Sequence, residues 1–140
     1  MKILLAVDGS EYTKKMLAYL TTHDELFSTN NRYTLLTVSS QLPPRARAAV
    51  GKEMVDSYHR DEAEKVLSPV TQFLLRHGID AKTVAKVGHA GETISKTADS
   101  GKFDLVVMGS HGHGTLGNLV MGSVATQVLA HCKVPVLLVR

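Results

Sequence analysis

The sequence predicts an α/β fold: an open, mostly parallel sheet of five strands with helices on both faces. Three observations carry this reading. Short, nearly continuous apolar runs recur along the chain, the pattern of strands covered on both sides. Segments with apolar residues at i, i+3, i+4 spacing separate them, and such strand–helix alternation builds parallel sheets. Neither a linker nor an internal repeat divides the chain, so a single domain over residues 1–140 is expected.

Residues 2–7 (KILLAV) read as the first strand, which stops at Asp8-Gly9-Ser10, where Asp8 or Ser10 is expected to cap a helix. That helix places Tyr12, Met16, Leu17 and Leu20 on one face. Residues 33–39 (YTLLTVS) form the second strand. Residues 41–51 (QLPPRARAAVG), with paired prolines and a closing glycine, read as a mobile loop. A long helix follows, with Ala63, Val66, Leu67, Val70, Phe73 and Leu74 on one face; Pro69 is expected to kink it and Gly78 to end it. Residues 81–87 (AKTVAKV) carry Lys82 and Lys86 on one side, which suits an edge strand. A short helix uses Ala90, Ile94 and Ala98. Residues 104–108 (DLVVM) are a buried-type fourth strand, residues 122–132 a short helix, and residues 134–140 (VPVLLVR) the fifth strand.

Composition narrows the function. Hydrophobic content of 44% and charged content of 21% are ordinary for a globular protein. A net charge of +3, with three Phe, four Tyr and no Trp, offers neither a basic footprint nor a base-stacking platform, so no nucleic-acid partner is expected. The lone Cys132 excludes an intrachain disulfide and suits a reducing compartment. No apolar run nears the roughly 20 residues of a membrane span. The first run ends at Asp8 without a signal-peptide layout, so the expectation is a cytoplasmic protein with no membrane partner.

The chemistry concentrates in residues 103–124, which run strand, glycine loop, helix start. Amides at a helix N-terminus have no partner within the helix and carry a partial positive charge, so such a segment suits phosphate. In open α/β sheets ligands sit beyond the strands' carboxyl ends where the winding reverses. Asp8 and Gly109 each follow a buried-type strand, and their loops meet there if the first and fourth strands are neighbours.

Residues 112–117 match G-x-G-x-x-G. That fingerprint belongs to the first strand–helix turn of a dinucleotide fold and expects an acidic residue about 20 positions on, which residues 135–139 lack. No Gly-Lys-Ser/Thr follows, so a Walker A loop is absent. His111 and His113 have no third ligand at recognisable spacing, and no metal site is expected from them. His111 reads as a loop residue near the ligand and His113 as a solvated one. Cys132 beside His131 reads as a small buried thiol rather than a nucleophile, because adjacent helical residues point about 100° apart. Arg45 and Arg47 read as a solvated loop rather than a phosphate lid, and the mixed charges of residues 52–65 as a wet helix face.

A second spacing in the same loop is more specific. Gly109, two residues, Gly112, nine residues, then Gly122-Ser123 resembles the G-2x-G-9x-G-[S/T] nucleotide loop of the universal stress protein family. Asp8 in AVDGS, MGSHG after the fourth strand and the terminal PVLLV extend the resemblance over essentially the whole chain. It implies a Rossmann-like fold of the adenine nucleotide alpha hydrolase-like kind, one universal stress protein domain over 1–140, and membership of the ATP-binding subgroup. It also implies site residues. Ala6, Val7 and Asp8 would line the adenosine, the Asp8 carboxylate accepting from ribose hydroxyls or approaching Mg²⁺. Val38 would meet the adenine edge, with Met108 beside it. Gly109, His111 and Gly112 would bring the loop to the ribose and phosphates, and Gly122, Ser123 and Val124 would hold the phosphates. The implied function is binding of ATP, ADP or AMP by a non-catalytic or regulatory homodimer in the stress response, paired through the strand Val136–Val139. A slow ATPase or autophosphorylating protein, or a nucleotide-free interaction module, are the alternatives.

Overall fold

The computed structural model describes residues 1–114 and 119–140. Thr115, Leu116 and Gly117, the last three positions of the G-x-G-x-x-G match, lie outside the described residues. The elements are β1 (Lys2–Ala6), α1 (Glu11–Thr22), β2 (Arg32–Ser39), α2 (Pro44–Val50), α3 (Lys52–Arg76), β3 (Lys82–Val87), α4 (Ala90–Ser100), β4 (Leu105–Gly109), α5 (Ser123–His131) and β5 (Val136–Val139). The described strands form one sheet in the order β3-β2-β1-β4-β5, every pairing parallel. β1 lies at the centre, flanked by β2 and β4, and β3 is an edge as its lysines suggest.

Strand alternation divides the core into two layers. Ile3, Leu5 and Val7 face one side, where they pack with Met16, Leu17 and Leu20 of α1 and Val70 and Leu74 of α3. Leu4 and Ala6 face the other, against Ile94 and Ala98 of α4 and Ala125 and Val128 of α5. Helices therefore cover both faces of the sheet. Because the chain leaves β1 toward β2 but returns from β3 across to β4, the winding reverses between β1 and β4. Their carboxyl ends open one crevice.

Two expectations need correction. Residues 41–51 are not a loop throughout: Pro44–Val50 form α2. Pro44 at the first helical position has its φ preset and no amide to satisfy, and Ala and Arg propagate the turn. Ser10 occupies the N-cap position of α1 but makes no side-chain cap bond, and its Oγ is buried without a partner among the described residues. Asp8 organises that turn instead, as described below. Gly78 ends α3 as expected: φ is +76°, its amide donates to Leu75 O and the Ile79 amide to Leu74 O. These bonds form a Schellman closure, and the left-handed φ explains the glycine.

Candidate functional site

At the carboxyl end of β1 the chain turns through Asp8. Its Oδ1 accepts from the Ser10 amide at 2.8 Å and from Thr13 Oγ1 at 3.1 Å, while Thr13 Oγ1 also lies 3.2 Å from the Asp8 amide. A buried threonine one turn into α1 thus fixes the carboxylate's orientation. Oδ2 faces Gly112, where an added Cβ would stand 2.9 Å from it.

The loop after β4 is tied to both sides of this turn. Ser110 Oγ lies 2.7 Å from His111 Nδ1, and His111 Nε2 lies 2.7 Å from Leu119 O. Leu119 O can only accept, so Nε2 carries the proton and Nδ1 accepts from the serine in the neutral ring. The His111 ring also lies against Tyr12 of α1, with centroids 4.8 Å apart. His113, expected to be simply solvated, reaches back: its Nε2 is 2.8 Å from Asp8 O. Gly109 serves packing, because a Cβ there would come within 2.6 Å of Tyr12 Cβ. A Cβ on Gly122 would meet His111 Cα at 3.1 Å and Ser110 O at 3.2 Å. Glycine at these two positions therefore lets the loop close onto α1 and lets α5 start against the loop.

α5 begins directly on the crevice. Its N-cap, Gly122, supplies no side-chain cap, and the Gly122 amide donates to Ser110 O at 2.8 Å. The first-turn amides of Ser123, Val124 and Ala125 have no acceptor within the helix, and their residues all border the crevice.

These parts enclose a cavity of about 270 Å³. Ala6, Val7, Asp8 and Val38 line it from the first two strands, Met108, Gly109, His111 and Gly112 from the fourth strand and its loop, and Gly122, Ser123 and Val124 from the start of α5. Every site residue named from the sequence is thus brought to one cavity. Sequence reasoning missed Thr13, Leu36, Ala90, Ile94, His113 and Ala125, which line it as well. Leu36 was legible, since it lies on the same face of β2 as Val38. Ala90 and Ile94 depend on where α4 packs, which periodicity leaves open. The cavity's lining combines an apolar wall (Ala6, Leu36, Val38, Ile94, Met108) with the Asp8 carboxylate and the first turn of α5. Such a shape takes a ligand with a flat apolar part, hydroxyls and an anionic tail.

At the carboxyl end of α5, Cys132 is half-buried, its Sγ 3.8 Å from Asp99 Oδ1, and burial pushes its thiol above the ordinary value of 9.0. It is a packed thiol away from the cavity. No helix among the described residues is long and apolar enough to cross a membrane.

A model of the universal stress protein family matches residues 1–140. The chain is 32% identical over 139 residues to the universal stress protein Slr1230 of Synechocystis; the match covers 99% of this chain and 42% of that protein, so the chain spans less than half of that relative. It is 29% identical to a universal stress protein of Thermus aquaticus, with 99% of this chain and 97% of the relative covered. Among solved structures, that of the hypothetical protein MJ0577 superposes with a TM-score of 0.80 at 29% identity, covering 99% of this chain and 94% of the other. Two structures at 22% identity share the fold. One is a universal stress protein in complex with cAMP (TM-score 0.70, covering 100% and 97%). The other is the Archaeoglobus fulgidus protein in complex with dAMP (TM-score 0.67, covering 100% and 98%).

Proposed function

The chain belongs to the universal stress protein family, and from that premise we propose that it binds an adenine nucleotide (ATP, ADP or AMP) between β1 and β4. In this reading its 140 residues act as one cytoplasmic domain, regulatory rather than catalytic, working in the stress response as a homodimer. One observation carries the binding: an apolar wall, an oriented carboxylate and the first turn of α5 converge on a single cavity. Adenine lies against Ala6, Val38 and Met108, with Leu36 and Ile94 completing the wall. The ribose hydroxyls donate to Asp8, whose second oxygen faces Gly112. The phosphates accept from the first-turn amides of Ser123, Val124 and Ala125 and from the Ser123 hydroxyl. A Mg²⁺ ion accompanying a polyphosphate would sit toward Asp8. The cAMP and dAMP complexes of related folds support adenine as the base. The dimer forms through the free edge of β5.

Ligand-induced thermal stabilisation tests this. At a hundredfold excess over Kd, ATP or AMP adds about 2.7 kcal/mol, a Tm rise of roughly 5 °C or more for a chain this size. Ser123→Glu is the discriminating variant. A carboxylate at the first helical position suits the helix dipole and leaves the ligand-free Tm unchanged or higher, yet repels phosphate. It therefore abolishes the nucleotide shift. A wild type that does not respond to millimolar nucleotide contradicts the reading.

A further inference from the structure

A second cavity, of about 490 Å³, opens beside the carboxyl end of β3 and shares no lining residue with the nucleotide crevice. It lies where α2 and α3 pack beside the end of β3. Gln41, Arg47 and Lys52 line it, with Val55, Asp56 and His59 along one face of α3 and Val87 at the end of β3. Arg47 and Lys52 are cationic and His59 can be; Asp56 is the only carboxylate among the described lining residues, so the wall is net positive. Two of its polar atoms lack what buried polar atoms normally have. Arg47 Nε and His59 Nδ1 are both sealed from solvent and neither has a hydrogen-bond partner among the described residues. Nearly all such groups in folded proteins are paired, and an unpaired one asks for an explanation. A guanidinium N–H can only donate, and an imidazole nitrogen can donate, so each is suited to an acceptor that the described residues do not supply. Arginine's planar fork suits phosphate oxygens in particular, and a neighbouring lysine adds charge without demanding geometry.

We infer that this cavity is a second anion site, which takes the phosphate group of a small molecule through Arg47, His59 and Lys52. It does not depend on the nucleotide reading: its residues come from the segment before α2, from α2, α3 and β3, and the crevice is lined by none of them. The volume leaves room beyond the phosphate for an organic portion near Gln41 and Val87.

The test is an amide NMR titration of the full chain with inorganic phosphate, and in parallel with ribose 5-phosphate, each repeated with the nucleotide crevice saturated by AMP. The expected result is a saturable shift of the Gln41, Ala48 and Val87 amides that persists with AMP present. Arg47→Gln and His59→Gln, on different helices, each weaken it about tenfold, the scale of losing one charge-assisted hydrogen bond. Arg45→Gln, an exposed residue on α2 that does not line the cavity, leaves it unchanged. Tighter binding of ribose 5-phosphate identifies an organic phosphate as the ligand, and equal binding identifies free phosphate. Shifts that never saturate, that survive Arg47→Gln, or that appear only at residues 123–125 and vanish with AMP overturn the proposal. In the last case phosphate is reporting the nucleotide crevice instead.

Discussion

Asp8 and Thr13 work as a unit. The threonine hydroxyl lies between the Asp8 amide and Oδ1, so it holds both the turn after β1 and the orientation of the carboxylate proposed to meet the ribose. Thr13→Val keeps the shape and removes that hydroxyl. It should cost about 1–2 kcal/mol in urea unfolding and should weaken nucleotide binding although Thr13 need not touch ligand. Unchanged binding would mean that Asp8 needs no such support. Gly109→Ala pushes a Cβ to 2.6 Å from Tyr12 Cβ and should cost about 1–3 kcal/mol as overpacking. Two further side chains bear on stability at alkaline pH. Burial raises the Cys132 thiol above 9.0 and the Tyr33 phenol above 10.0, the Asn31 hydrogen bond only partly offsetting the latter. The folded chain holds these protons to higher pH than the unfolded one. Their contribution is therefore complete below the unfolded values and is lost as pH rises through the folded ones. Urea midpoints should be flat near neutrality on this account and fall from about pH 9 upward. Cys132→Ser should remove the earlier part of the fall, and an identical fall in that variant would contradict the assignment.

At the scale of elements, the sequence was most legible where a pattern repeats. Ile3, Leu4 and Leu5 read as a doubly covered strand because both faces of β1 are covered. Met16, Leu17 and Leu20 read as a helix face because α1 presents one stripe to the sheet. α2 was not legible: it is too short for periodicity to show, none of its residues is buried, and its prolines signal a turn as readily as a helix start. The cap of α1 was half legible, because Asp and Ser are both good caps and only the structure shows that the carboxylate takes the bonds. The end of α3 was fully legible through Gly78. Gly78→Ala, forced into a left-handed φ, should cost about 1 kcal/mol in thermal unfolding without touching either cavity. No loss would mean that the closure is dispensable.

At the scale of the molecule, the glycine spacing placed the site residues in one loop, but only the strand order brings Asp8 and Val38 to them. β1 beside β4 is what makes a crevice from residues about a hundred positions apart. His113 shows the limit of sequence reasoning, since its contact with Asp8 O spans that distance and leaves no local signature. The other open question at this scale is the β5 edge. Val106 donates to Pro135 O and Ser110 to Val139 O, so parallel alternation turns the Val136 and Leu138 amides outward, ready to pair with a second copy. Sedimentation velocity should give twice the chain mass of 15.2 kDa. Leu138→Pro, which deletes an outward amide but none that faces β4, should give the monomer. A wild-type monomer would remove the dimer.

The central claim is that one polyphosphate tail meets the first turn of α5 while the sugar meets Asp8. The most direct measurement is an amide NMR titration with ATP. The account predicts saturable shifts at Asp8, Val38, Gly109, Ser123, Val124 and Ala125, all fitting a single Kd. Shifts that leave residues 123–125 unmoved, or that gather elsewhere on the surface, would contradict it.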